Sequence, residues 1–280
     1  MGLSSNILWH MTNRKAFFSI LKSQESRYSY SLERVMPIPQ GVAFPMISMC
    51  DLPFSEIATT KWSYGNYAIG LSREWGLKKG FSPVWYSDYD SRILRELGKL
   101  FEETGASDNG KYFDSSIYLF SNVKFVQAPL KTSKKQFKNY RFYDEREYRL
   151  VPYLEETYKL GYRSFLMVKA YELYKEDKGS SLLDYGVDFS FEDVRYLIVK
   201  SYSNVRDVKA LLSKHKNAEH IIVVTKKDVL EDFIGTEHNE EILLSAEQFN
   251  YAGTQPHVDR MSDMNREALK ERRKIKDDEA

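Results

Sequence analysis

Two glutamates one residue apart have the types and spacing best suited to chemistry in this sequence. Glu145 and Glu147 lie in residues 143–152, and Arg149 follows two residues later. In an extended chain successive side chains point to opposite faces, so these three side chains would share one face. A carboxylate fixed in this way can stabilise positive charge that develops in a transition state. The run therefore predicts a site held on a strand.

Nearby arginines give a structural alternative for the same glutamates. Arg141, Arg146 and Arg149 could pair with Glu145 and Glu147 in a surface network of ion pairs. In such a network the glutamates would have no catalytic role. The spacing alone leaves both interpretations open.

A histidine on the first predicted strand is the second candidate. His10 lies within residues 7–12, and Thr12 follows two residues later. A histidine on such a strand is usually a partly buried structural residue. Its combination with Tyr64, Tyr67 and the later glutamate pair favours a shared site.

Several other chemistries are excluded by the sequence pattern. The five histidines are scattered without metal-ligand spacing, so we expect no metal. Cys50 is the single cysteine, which excludes an internal disulfide, and Asp51 beside it would raise the thiol pKa. We therefore expect Cys50 to be a buried structural thiol. The sequence has neither a Gly-x-Ser-x-Gly elbow nor a phosphate-binding Gly-x-x-x-x-Gly-Lys loop.

A basic stretch precedes the glutamate pair, although the net charge of +1 gives no global case for nucleic-acid binding. Phe137 and Tyr140 are interleaved with its cations. A patch of this kind can hold a phosphate or an RNA backbone, and a solvated loop is the alternative. The cationic residues are Lys131, Lys134, Lys135, Lys138 and Arg141.

Composition indicates a globular protein. The 280 residues are 42% apolar and 29% charged, and 14% are aromatic. The tyrosines could form a binding surface or reflect an AT-rich genome. No apolar run approaches the roughly 20 residues that span a bilayer, and the N-terminus lacks a signal-peptide pattern. We therefore expect a cytoplasmic protein without a membrane partner.

The order of predicted elements favours an α+β fold. We expect a mixed, mainly antiparallel central sheet with flanking helices over residues 1–235, followed by a partly mobile extension at 236–280. A strand–helix–strand pattern at 194–225 predicts a crossover to a parallel neighbour. Residues 28–40 read as irregular, and residues 117–125 suit a strand or a buried helix.

Six segments of the chain carry a resemblance to a known family. They are residues 9–12, 45–55, 64–75, 83–86, 143–149 and 194–199. Together they resemble the AbiGi-type abortive-infection family. That resemblance implies a bacterial phage-defence protein, of a family often labelled the antitoxin partner of a two-gene pair.

The chain also bears a more distant resemblance to ADP-ribosyltransferases of the His-Tyr-Glu type. It rests on an early His-x-Thr, a mid-chain tyrosine-rich strand and a late Glu-x-Glu. The resemblance implies an ADP-ribosyltransferase-like fold and NAD as substrate. His10 and Thr12 would then hold a ribose of NAD, and Tyr64 or Tyr67 would stack on nicotinamide.

The same resemblance implies roles for the glutamate run. Glu147 would be catalytic, Glu145 would orient the acceptor, and Arg149 or Arg146 would meet the pyrophosphate. A fixed carboxylate suits this chemistry because loss of nicotinamide leaves positive charge on a ribose carbon.

Together these observations predict an anti-phage abortive-infection protein. The first hypothesis is an ADP-ribosyltransferase-like toxin that uses NAD to modify a macromolecule such as nucleic acid. The alternative is a non-catalytic antitoxin that binds and neutralises a partner toxin. The second hypothesis gives weight to surface aromatics such as Tyr158 and Tyr171.

Overall fold

The computed structural model describes residues 5–35, 38–59, 65–105, 112–131 and 136–234. Three predicted site residues, Tyr64, Lys134 and Lys135, lie outside these ranges. The extension predicted at 236–280 also lies outside them, so its mobility stays a prediction. In the described part of the chain, no helix is long and apolar enough to cross a membrane.

Short strands and helices follow one another along the chain. The strands are β1 (Ile7–Thr12), β2 (Glu25–Val35), β3 (Ile38–Cys50), β4 (Tyr67–Ser72), β5 (Ser82–Pro83), β6 (Trp85–Ser87), β7 (Val123–Phe125), β8 (Gln127–Lys131), β9 (Gln136–Arg141), β10 (Glu147–Leu150), β11 (Leu166–Met167), β12 (Leu182–Asp188), β13 (Val194–Val199) and β14 (Ile222–Thr225). The helices are α1 (Arg14–Ser23), α2 (Phe54–Thr59), α3 (Arg73–Lys79), α4 (Arg92–Gly105), α5 (Phe113–Ser121), α6 (Leu154–Lys159), α7 (Val168–Lys178), α8 (Tyr202–Leu212) and α9 (Lys226–Ile234).

One large sheet organises these elements. Its main path runs β12-β2-β3-β1-β4-β13-β14, with β10 and β11 also paired to β3 and β5 paired to β10. The pairings in this sheet are antiparallel except for β13 with β14, which α8 connects as a parallel crossover. The predicted α+β class and the mainly antiparallel sheet are therefore confirmed.

Strand β3 changes partners along its length. It pairs with β2 as far as Met46, and with β1 at the single register position Trp9↔Cys50. Between these pairings, Ile47 and Ser48 pair with β10 alone among the described strands. The sheet therefore opens beside Ser48, and this opening positions the candidate site.

One face of the sheet, called the core face, carries the largest apolar cluster. Phe17 of α1, Trp75 of α3 and Val208 of α8 are buried against it. The sequence begins and ends these helices with ordinary signals. The side chain of Asn13 accepts a hydrogen bond from the Ala16 amide at the start of α1, and Gly80 ends α3 with a φ of 94°, a value that favours glycine.

The opposite face, called the cavity face, is packed differently. Trp9 lies over Gly70 in the neighbouring strand, where any Cβ would approach the indole to 2.8 Å, so this strand position requires glycine. Phe44 and Met46 of β3 pack against Phe120 of α5. Between these two apolar regions lies a cavity.

Two sequence expectations are corrected. Residues 28–35 and 38–40 are not irregular, because β2 covers residues 25–35 and pairs with both β3 and β12, and β3 begins at Ile38. Its alternation of Tyr28 and Tyr30 with Ser29 and Ser31 was a strand signal. Residues 117–125 are neither wholly strand nor wholly helix, because α5 ends at Ser121 and β7 begins at Val123.

Candidate functional site

The glutamate run is not a single extended strand. Glu145 closes a 3-10 turn, Arg146 adopts a left-handed conformation with a φ of 44°, and β10 begins at Glu147. Simple alternation therefore does not apply across Arg146. Glu145 and Glu147 nevertheless lie together, because the turn directs Glu145 back toward Lys124, which also binds Glu147.

Lys124 joins the two carboxylates. Its Nζ donates to Glu147 Oε2 at 2.6 Å and to Glu145 Oε2 at 3.1 Å. Phe142 lies beneath the ammonium group, with its ring centre 4.4 Å away, and Tyr140 donates its hydroxyl to Glu145 Oε1 at 2.9 Å. Both glutamates and the lysine are buried.

Arg149 completes the cluster, with 1% of its surface exposed. Its Nε donates to Glu147 Oε1 at 2.7 Å and its Nη2 to Glu33 Oε1 of β2 at 2.6 Å. Its Nη1 donates to the Ser121 carbonyl at the end of α5, also at 2.6 Å. One guanidinium therefore ties β10, β2 and α5 together, and we call Glu33, Lys124, Glu145, Glu147 and Arg149 the ionic cluster.

The cluster determines the ionisation of its members. Burial opposes the ionisation of Glu147, but Arg149 and Lys124 outweigh that effect and hold its pKa well below the usual range. For Glu33 burial dominates over Arg149 and raises the pKa. Burial would lower the pKa of Arg149, but Glu147 and Glu33 raise it. Glu147 and Arg149 thus form a charged pair at neutral pH.

The alternative from the sequence, that arginines pair with the glutamates, applies in part. Arg149 binds Glu147, but Arg146 binds Glu56 at 3.2 Å and Arg141 binds Asp144 at 3.2 Å. The network is also buried rather than on the surface. Replacing one charged residue of this network with a neutral one therefore leaves a buried charge without its partner, which lowers the free energy of unfolding.

His10 lies close to this cluster. Trp9, Cys50 and Glu147 stand side by side across β1, β3 and β10, which separates the outer two backbones by about 10 Å. The Nδ1 atom of His10 is 3.2 Å from the Ser48 carbonyl, and burial lowers its pKa although this hydrogen bond raises it. Nδ1 must therefore carry the proton, which leaves Nε2 of the neutral ring as an acceptor.

A cavity of about 830 Å³ collects three of the predicted site residues. His10, Glu145 and Glu147 all line it. Arg149 does not line it, although it binds Glu147. Thr12 and Tyr67 are absent from its lining, and Tyr67 packs on Phe17 at the core face. The structure thus brings together the histidine and the two glutamates, but not the threonine and Tyr67.

The predicted basic stretch forms part of the hairpin β8–β9, which covers one side of the cavity. Gln127, Leu130 and Asn139 of this hairpin are in the lining. Lys138 is exposed, and Arg141 is occupied by Asp144. Lys131 ends β8, and its side chain lies outside the described part of the structure. Nucleic-acid binding by this stretch stays a prediction.

Two members of the ionic cluster were missed at the sequence level. Lys124 lies in the apolar run Val-Lys-Phe, and a lysine inside a short buried strand signals a charged partner. Glu33 lies on β2 in the stretch read as irregular, where the polar alternation was the available signal. Among the described residues no group of three or more histidine, cysteine, aspartate or glutamate side chains could hold a metal ion.

Fold and site together define a class of protein. It is an α+β domain whose antiparallel sheet opens into a cavity bordered by a buried ionic cluster. No solved structure matches the chain.

Sequence relatives identify the family. Residues 18–200 match the family model described as "Putative abortive phage resistance protein AbiGi, antitoxin". The chain is also 27% identical, over 208 residues, to the abortive phage resistance protein AbiGi of Lactococcus lactis subsp. cremoris, an alignment that covers 66% of this chain and 83% of that protein. This chain therefore belongs to the AbiGi family of abortive phage resistance proteins. The whole ionic cluster lies within the matched residues, whereas His10 precedes them.

Proposed function

We propose that this chain is the antitoxin of a phage-defence pair and neutralises a partner toxin by binding it. One observation carries the proposal. Glu147, the best catalytic candidate, is 4% exposed, and its two carboxylate oxygens already accept hydrogen bonds from Lys124 and Arg149. A carboxylate held in this way has little freedom to act on a substrate, and its removal would leave the buried cations without their partner.

The family description, which names an antitoxin, supports the same function. A binding role also requires a surface for the partner, and helix α6 with the turn after it offers apolar groups in water. Tyr153 is 79% exposed, and Tyr158 and Leu160 are about half exposed. Tyrosine is enriched in protein interfaces because it supplies a large rigid contact area. Tyr171 is less suitable, since it is half-buried against the core.

Co-expression tests this function directly. The chain alone should leave growth unchanged, and it should restore growth when the toxic product of the neighbouring gene is expressed with it. Tyr153→Ala combined with Tyr158→Ala should weaken this rescue. A folded Glu147→Gln variant should keep it. Growth arrest by the chain alone, abolished by Glu147→Gln, would contradict the antitoxin role.

A second candidate is an ADP-ribosyltransferase-like toxin that uses NAD, with His10 and Glu147 in the reaction. The observation that favours it is the shared cavity of His10, Glu145 and Glu147. In this proposal the neutral His10 accepts a hydrogen bond from a ribose hydroxyl. Glu147 stabilises the positive charge on the ribose carbon as nicotinamide leaves, and the basic stretch around Lys138 binds a nucleic-acid target.

Isotope-labelled NAD tests the second candidate. Nicotinamide release and label transfer to RNA, DNA or protein would be compared between wild type and Glu147→Gln. Glu172→Gln is a matched control, because Glu172 is exposed on α7. Thermal unfolding of each variant separates loss of chemistry from loss of folding. Equal turnover in wild type and Glu147→Gln, or none with any target, would exclude this candidate.

A further inference from the structure

The wall of the cavity formed by β2 differs from the rest of its lining. Ser29, Ser31 and Glu33 alternate along this strand and line the cavity, and Arg34 lies at its edge. Their neighbours Tyr28 and Tyr30 are buried in the core face. The strand therefore presents a polar stripe to the cavity, and apart from the contact of Glu33 with Arg149 no role assigned above uses the stripe.

Polar atoms of this stripe are left without protein partners. The hydroxyls of Ser29 and Ser31 and the Oε2 atom of Glu33 make no hydrogen bond within the described part of the chain, although Glu33 Oε1 binds Arg149. The guanidinium of Arg34 is exposed and forms no ion pair with any described residue. By contrast, the carboxylates of Glu145 and Glu147 are occupied. A wall of unused donors and acceptors inside a cavity is typical of a ligand site.

The order of these groups limits the ligand. Glu33 and Arg34 are adjacent in β2, yet both line the cavity, and the register of β2 with β3 shifts between Glu33 and Val35, which interrupts strict alternation there. A carboxylate oxygen accepts hydrogen bonds from the hydroxyls of a ribose, as in dinucleotide-binding folds. A guanidinium binds phosphate through charge-assisted hydrogen bonds. Ribose hydroxyls and a 5′-phosphate lie on one compact group, which suits two neighbouring side chains.

The size and the opposite wall of the cavity indicate a larger molecule than a sugar phosphate. Small-molecule sites span about 300–1,000 Å³, and this cavity of about 830 Å³ lies in that range. Tyr89, Phe125 and Phe142 line it, with the rings of Tyr89 and Phe125 5.5 Å apart. Aromatic side chains of this kind provide surfaces on which a planar base can pack.

We propose that the cavity binds a nucleoside 5′-phosphate. Its ribose hydroxyls donate to Glu33 Oε2 and contact Ser31, its phosphate binds Arg34 at the cavity edge, and its base packs against the aromatic wall. The site requires neither NAD cleavage nor the antitoxin role. In an antitoxin it would be a nucleotide-binding site separate from the surface that binds the partner toxin.

Titration calorimetry with AMP tests the ligand class. We expect saturable binding of AMP, binding about tenfold weaker for 2′-deoxy-AMP because one hydroxyl donor is lost, and about tenfold weaker for adenosine because the phosphate is lost. Ribose 5-phosphate should bind more weakly than AMP if the aromatic wall holds the base. Absence of saturable AMP binding at millimolar concentration would overturn the proposal, as would equal affinity for AMP and 2′-deoxy-AMP.

Two arginine variants locate the phosphate. Arg34→Gln should weaken AMP binding about tenfold and leave adenosine binding unchanged. Arg92→Gln, at an exposed arginine on α4, should leave both unchanged. Both positions are exposed, so folding should not confuse the result. Equal AMP affinity in Arg34→Gln and Arg92→Gln would remove Arg34 from the site and with it the proposed orientation.

Discussion

Strands β10 and β2 both present polar side chains toward the cavity, yet they use them differently. On β10, Glu147 accepts hydrogen bonds from Lys124 and Arg149, and Arg149 also donates to Glu33 and the Ser121 carbonyl, so their hydrogen-bonding groups are occupied. On β2, Ser31 makes no side-chain hydrogen bond within the described chain, and Glu33 uses one oxygen. Strand β10, which carries the predicted catalytic motif, thus uses its polar groups in contacts that hold the fold together. Strand β2, whose residues 28–35 were predicted to be irregular, carries polar groups without hydrogen-bond partners in the described chain.

The largest expected effect comes from Arg149→Met. This change removes the guanidinium that binds Glu147, Glu33 and the Ser121 carbonyl, and leaves the buried Glu147 and the partly buried Glu33 with less compensation. We expect the free energy of unfolding to fall by about 3–5 kcal/mol, as for other broken buried ion pairs. Urea unfolding measures it.

Arg92→Met is the control for that change, because the Arg92 side chain is 85% exposed. It should alter the free energy of unfolding by no more than about 0.5 kcal/mol. A loss below about 1 kcal/mol for Arg149→Met would mean that β10 is not committed to the fold. The contrast between the two strands would then disappear.

Much of the fold could be predicted from the sequence, and the reason is local. The cap at Asn13, the glycine that ends α3 at Gly80 and the strand–helix–strand pattern of β13, α8 and β14 depend on neighbouring residues. The break at Arg146 could not be predicted, because an arginine in a left-handed conformation depends on tertiary contacts. Alternation across residues 145–147 therefore failed.

The candidate site was predictable only in part, because its members come from distant segments. His10 and Glu147 were chosen from the sequence, and they line one cavity. Lys124 of β7 signals a charged partner, but the sequence does not show that this partner is Glu147 or that Glu33 of β2 binds Arg149, since those contacts depend on sheet topology. Both carboxylate oxygens of Glu147 accept hydrogen bonds, and this too depends on the packing of distant segments.

Glu147→Gln should have the next largest effect, a loss of about 2 kcal/mol of unfolding free energy at neutral pH. Its effect is smaller than that of Arg149→Met, because Lys124 remains paired with Glu145 and Arg149 remains paired with Glu33. Glu147 has a lowered pKa in the fold, so its stabilising effect is present above the ordinary glutamate pKa. The wild-type advantage should disappear as the pH falls below that range. Unfolding measured from acid to neutral pH would show it, and an advantage independent of pH would contradict it.

Glu33→Gln should have a smaller effect with the opposite pH dependence, about 1 kcal/mol or less near neutrality. Burial raises the pKa of Glu33 in the fold, so its contribution is fully present below the ordinary glutamate pKa and is lost as the pH rises through the folded value. The advantage of wild type over Glu33→Gln should therefore shrink as the pH rises. Parallel pH profiles for the Glu33 and Glu147 variants would show that the two carboxylates are equivalent.

Ser31→Ala should have the smallest effect on stability, within about 0.5 kcal/mol, because the hydroxyl makes no hydrogen bond within the described chain. AMP affinity should nevertheless fall several-fold, since the hydroxyl is proposed to contact the ribose. Ser23→Ala is a useful contrast, because the Ser23 hydroxyl donates to the Ser19 carbonyl on the exposed side of α1, and neither residue lines the cavity. Calorimetry and thermal unfolding on both variants measure affinity and stability separately. If Ser31→Ala destabilises the protein by more than about 1 kcal/mol without changing AMP affinity, β2 serves the fold as β10 does.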